Sequence, residues 1–234
     1  MRKTDVTYSF FHFACLVVVS IAIFFNKWLL VYVKPVVPIA LIVLYLRFVK
    51  KPDFLFPLSM GVITAINVFI YLDFEKHYTF IAILTAIFYV LCVLLLKKFI
   101  TKRDIKLRLL LTPQVLLSIM LIGYLIYSLI ELVFPKIINS LEEVTLVTIA
   151  LLLFVTVCFF IYSANRFEKS IYLFIAACCT LFVDGLLTIN ELYYYNKVFT
   201  VLINITEVIG LYFLTIFFIE TKLLDEKYVD EEYF

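Results

Sequence analysis

Eight apolar runs, each close to the length needed to cross a bilayer, divide the chain; they cover 8–25, 28–49, 54–72, 78–96, 109–134, 141–164, 169–189 and 198–219. A spanning helix takes about 20 mainly apolar residues. Inside lipid no water pairs with the backbone, so each run must close its own hydrogen bonds as a helix. The expected fold is all-α, a polytopic bundle of eight transmembrane helices over 1–219 with a short acidic tail over 220–234. Composition removes the soluble alternative. The 234 residues are 65% hydrophobic and 16% charged, with a mean hydropathy of +1.10, whereas a soluble domain runs near half apolar and a quarter charged. The second run is interrupted by Lys34-Pro35 and Pro38. Proline withdraws a backbone donor, so this run is expected to start as interfacial coil and to span from near Pro35.

The basic residues fix an expected orientation. Arginine and lysine concentrate in cytoplasmic loops. Counting the amino terminus, the loops after the second, fourth and sixth runs, and the tail as one side gives 15 Lys and Arg against 5 on the other. Both termini are therefore expected in the cytoplasm. The net charge of +2 gives no reason to expect nucleic acid as a partner. The first run is spanning length and no small-residue cleavage signature follows it, so it reads as a helix rather than a signal peptide. The five cysteines, Cys15, Cys92, Cys158, Cys178 and Cys179, sit inside apolar runs and read as packing residues. His12 and His77 are far apart. Neither set has metal-ligand spacing, so no metal or other cofactor is expected. Trp28 reads as an interfacial anchor.

Polar side chains within membrane helices are costly, face the protein interior, and mark candidate sites. Thr180, Asp184, Thr188 and Glu191 follow one another at four, four and three residues in the seventh run, which puts them on one helix face. Thr200, Asn204 and Glu207 do the same in the eighth run, Thr64, Asn67 and Tyr71 in the third, and Tyr124, Tyr127 and Glu131 in the fifth. Lys34 adds a cation from the second. With a rise of about 1.5 Å per residue, all of these faces reach the outer half of the membrane. They are expected to converge on one polar pocket that opens away from the cytoplasm. The same residues are also of the kind that tie helices together, and Lys34 with a carboxylate could simply neutralise two buried charges.

Two short motifs resemble a known family. Lys34-Pro35 resembles the Lys-Pro signature of the YhhN family of eight-helix membrane proteins, the lysoplasmalogenases. Leu181-Phe182-Val183-Asp184-Gly185-Leu186-Leu187-Thr188-Ile189-Asn190 resembles that family's Ser-Asp-x-Leu-Leu-Ala-x-Asn stretch. The resemblance spans nearly the whole chain and implies hydrolysis of the vinyl ether bond of lysoplasmalogen-type lipids. A membrane lipid is then the expected partner, as substrate, and the inner (cell) membrane of a bacterium the expected location. Protonation of the β-carbon gives an oxocarbenium ion that water captures. That chemistry needs a general acid and a second carboxylate. Asp184 and Glu207 are the expected catalytic pair, with Lys34, Asn67, Tyr89, Asn190 and Asn204 as the expected substrate-binding residues. The chain departs from the pattern in three places. Asn67 stands where the family has an aspartate, Ala86 where it has a histidine three residues before Tyr89, and Glu207 and Leu211 where it has Tyr and Gln. A non-catalytic binder of lipid or small molecules on the same scaffold is the second reading, and a structural or sensory subunit the third. A transporter is disfavoured, because the glycines Gly61, Gly123, Gly185 and Gly210 do not interrupt paired helices.

Overall fold

The computed structural model describes residues 6–100, 120, 123–124, 127–128, 131, 141–164, 167 and 169–231, with side chains to residue 221. Every regular element among them is helical. Helix α1 is Val6–Phe24. A single 3-10 turn, Lys27–Leu29, leads into α2 (Leu30–Val33) and α3 (Val36–Phe48). Then come α4 (Leu55–Asp73), α5 (Tyr78–Leu96), α6 (Leu141–Ala164), α7 (Ser170–Thr188), a wider π-helical turn over Ile189–Tyr193, and α8 (Lys197–Glu231). Taking α2 and α3 together, seven stretches among the described residues are long and apolar enough to cross a membrane. They coincide with seven of the eight predicted runs. The eighth prediction, 109–134, lies outside the described residues except for single positions.

Two predicted boundaries need correction. The start of the second run is helical rather than coil, because proline fits a helix wherever the missing donor is tolerated. Lys34 and Pro35 both keep right-handed helical backbone angles. Pro35 and Pro38 cannot donate, so the ladder slips locally, and the Lys34 carbonyl accepts instead from Val37 N–H at 3.1 Å. The last helix also runs past its predicted end at 219, to Glu231.

Side-chain contacts sort the helix ends. Lys27 meets Glu191, and Thr79 Oγ1 donates to Glu143 at 3.0 Å, so the start of α2, the start of α5, the start of α6 and the end of α7 share one end. At the opposite end Arg47 donates to Thr7, Lys98 pairs with Asp53, and Lys169 pairs with Glu220. The described helices pack around a ring, α1 on α3, α3 on α4, α4 on α5, α5 on α6, α6 on α7, α7 on α8 and α8 on α1. α8 also reaches across to α3. Its spanning stretch is 61% buried, against 22% for the stretch containing α7, which makes α8 the inner helix.

The polarity of the bundle is inverted relative to a soluble protein. Ile83, Ile87, Val90 and Leu94 repeat along one face of α5 at helical spacing and are all exposed, as are Ile39, Val43 and Leu46 on α3. Lys34, Asn67 and Asn204 are buried. Contiguous apolar surface on this scale requires an apolar surrounding. Exposed Trp28, Tyr32, Tyr193, Tyr194 and Tyr195 gather at the Lys27 end, as aromatic side chains do at a membrane–water interface.

α7 and α8 touch through small residues. A Cβ at Gly210 would stand 2.9 Å from Cys179 Cβ, an atom anchored directly to its backbone. Gly210→Val should therefore force the helices apart and cost about 2 kcal/mol. Thermal melting of the detergent-solubilised protein checks this. Gly61→Val, where a Cβ meets open space, should melt like the parent.

Candidate functional site

The buried polar layer is organised by one cation. Lys34 ends the short helix α2 and is only 2% exposed. Its Nζ lies 2.5 Å from Glu207 Oε2 and 3.4 Å from the Tyr71 hydroxyl, with the Tyr71 ring 4.9 Å away. The other carboxylate oxygen of Glu207 accepts from Asn67 Nδ2 at 2.9 Å. Tyr71 accepts from Asn204 Nδ2 at 2.9 Å, and the same amide reaches the Thr200 carbonyl. Asn204 Oδ1 is buried with no partner among the described residues. The spacings of three and four in α4 and α8 thus bring Asn67, Tyr71, Asn204 and Glu207 together, with Lys34 between them.

Asp184 belongs to a different neighbourhood. Its Oδ2 accepts from the Tyr89 hydroxyl of α5 at 2.6 Å. No cation among the described residues pairs with it. Asp184 and Glu207 nevertheless face one recess between α5, α6, α7 and α8. Tyr89, Thr180 and Gly210 contribute to its wall, and Phe88, Phe154, Val183, Leu211 and Leu214 make the rest largely apolar. The carboxylates sit toward the Lys27 end. Leu214 lies seven residues further along α8, about 10 Å deeper toward the other end. A ligand with a polar head and a hydrocarbon tail matches that order of groups.

No protein-family model matches the chain, and no curated protein or solved structure does so either. Among the described residues no group of His, Cys, Asp and Glu is arranged to hold a metal ion.

The sequence-predicted residues divide into two sets. Asp184, Glu207 and Tyr89 line the recess. Lys34, Asn67 and Asn204 do not line it; they hold Glu207 and Tyr71 in place. Asn190 is further away still. Its amide donates to Glu191 and Thr200, and its Oδ1 accepts from Asn196 N–H at 2.9 Å, so it fastens the turn between α7 and α8.

Two expectations fail. Glu191, expected with Asp184, does not line the recess; it lies within the π-helical turn closed by Tyr194 N–H on the Ile189 carbonyl at 2.9 Å. Glu191 pairs instead with Lys27 at 2.5 Å. Tyr124 and Tyr127 were expected to face the polar layer, but they are 69% and 63% exposed, and Glu131 is exposed with them. Periodicity shows that such residues share a face, not which way the face points. Lys27 is the residue that sequence reasoning missed. It reads as a loop charge, and its partner lies 164 positions away.

The Lys34–Glu207 pair should dominate stability in this layer. Lys34→Met leaves Glu207 buried without its cation and should cost about 3–5 kcal/mol. Combining it with Glu207→Gln removes the stranded charge, keeps an acceptor for Asn67, and should recover most of the loss. Melting temperatures of the two single variants and the double variant in detergent measure the coupling.

Proposed function

We propose that the chain is a multi-pass membrane hydrolase of the YhhN, lysoplasmalogenase-like kind, with both termini cytoplasmic and the recess between α5, α6, α7 and α8 as its active site. The observation that carries this reading is the pair of carboxylates at the head of a largely apolar recess, one tied to a cation and the other, among the described residues, held only by a phenol. Eight crossings are supported by the ends of the neighbouring helices. α5 finishes at the Lys98 end and α6 begins at the Lys27 end.

In this mechanism the alkenyl chain lies along Phe88, Phe154 and Leu214. Asp184, oriented by Tyr89, gives a proton to the β-carbon of the vinyl ether. The oxocarbenium ion so formed is stabilised by Glu207. Water adds to the α-carbon, and Glu207 takes the released proton. The hemiacetal collapses to a fatty aldehyde and a glycerophospho-base. The proton held by Glu207 then restores Asp184, so the net reaction consumes one water. Lys34 and Asn67 act as positioning residues, since they fix both oxygens of Glu207. Ala86, buried beside Tyr89 in α5, offers no titratable group in place of the family's histidine. That favours the second reading, a binder of the same lipids without turnover.

Purified protein in detergent, given a lysoplasmalogen, should release fatty aldehyde. Asp184→Asn and Glu207→Gln should each lower the rate by about 100-fold or more. A folded wild-type protein that releases no aldehyde across several headgroups would leave the binding reading. Orientation is checked separately with reporters. A fluorescent protein fused after Phe234 should fluoresce, and alkaline phosphatase fused after Lys76 should be active; the reverse pattern overturns the assignment.

A further inference from the structure

A second cavity opens at the Lys27 end of the bundle, away from the carboxylate recess. It is an open hollow lined by Ala22, Phe25, Asn26, Lys27, Leu30, Tyr195, Lys197 and Thr200. Two ammonium groups, an amide and a hydroxyl therefore edge one hollow. Glu191 is not part of its lining.

The two lysines are held differently. Lys27 is fixed by both carboxylate oxygens of Glu191, at 2.7 and 2.5 Å, and stands 5.4 Å from the centre of the Tyr195 ring. Its charge is matched by Glu191. Lys197, exposed in the first turn of α8, has no carboxylate partner among the described residues. Among the described residues, the hollow thus carries one positive charge without a carboxylate partner, beside a second ammonium held by Glu191. Thr200, about five-sixths of a turn further along α8, adds a buried hydroxyl that donates to the Asn196 carbonyl and accepts from Asn190. Exposed Trp28, Tyr32, Tyr193 and Tyr194 surround this end. Such aromatic side chains sit at headgroup level, and the anionic group common to phospholipid headgroups is phosphate.

We propose that this cavity binds a phosphate group, with Lys197 as the principal charge and Lys27 and Asn26 as directional donors. The phosphate comes either from a phospholipid headgroup or from a soluble phosphate ester. The proposal concerns binding alone and does not rest on the hydrolase reading.

Binding is measured by native mass spectrometry of the full chain in detergent, with three probes. These are lysophosphatidylethanolamine, glycerol 3-phosphate, and a monoacylglycerol of the same chain length, which lacks phosphate. Lys197→Gln should weaken a phosphate-bearing probe by about tenfold, the loss of one charge-assisted contact. It should leave monoacylglycerol binding unchanged. Lys76→Gln, an exposed lysine in the loop between α4 and α5, is the control and should change neither. Lys197-dependent binding of the lysophospholipid alone identifies a headgroup site. Lys197-dependent binding of glycerol 3-phosphate identifies a site for the phosphate ester itself. The proposal is overturned if the folded wild-type protein binds neither phosphate probe, or if Lys197→Gln binds both as well as wild type.

Discussion

The bundle depends on a buried ion pair. An isolated ammonium or carboxylate within a membrane-spanning bundle is expensive, and geometry and further hydrogen bonds must repay the desolvation. Lys34 and Glu207 meet at 2.5 Å, and Tyr71 and Asn67 satisfy atoms that the pair leaves over. Those partners come from α2, α4 and α8, so the charge pair also sets the positions of three chain segments. The inner placement of α8 follows naturally. It brings the carboxylate, and the other helices gather around it.

This arrangement gives Glu207 two unlike sides. The Lys34 side of Glu207 is closed and fully bonded, whereas its other side faces the recess shared with Asp184. A group fixed from behind presents a defined surface in front, which is the sense in which supporting residues preorganise a site. Among the described residues, Asp184 is held by one phenol and opposes no cation. Two carboxylates in one recess with such unequal surroundings are suited to different roles.

Much of the fold was legible in the sequence because apolar length is a direct consequence of bilayer thickness. Seven of the runs recur as membrane-length apolar stretches within a few residues of their predicted limits. The buried layer was legible too, since Asn67 with Tyr71, and Thr200, Asn204 and Glu207, repeat at helical spacing on inner faces. What spacing could not supply was direction and pairing. The same spacing in Tyr124, Tyr127 and Glu131 belongs to an exposed face. Whether Lys34 would meet Asp184 or Glu207 depended on how helices far apart in sequence rotate against each other. The proline-containing helix was misread for a local reason: the slipped hydrogen bond from Val37 accommodates prolines that the sequence rule treats as breaks.

The wider turn at Ile189–Tyr193 has an effect beyond redirecting one side chain. In an unbroken α-helix, Asp184, Thr188 and Glu191 would share a single face and answer to the same neighbours. The wider turn begins after Thr188 and holds Glu191. Asp184 answers to α5 through Tyr89, while Glu191 answers to the chain before α2 through Lys27. The charged mouth of the bundle and the carboxyl group within it thus hang on separate contacts.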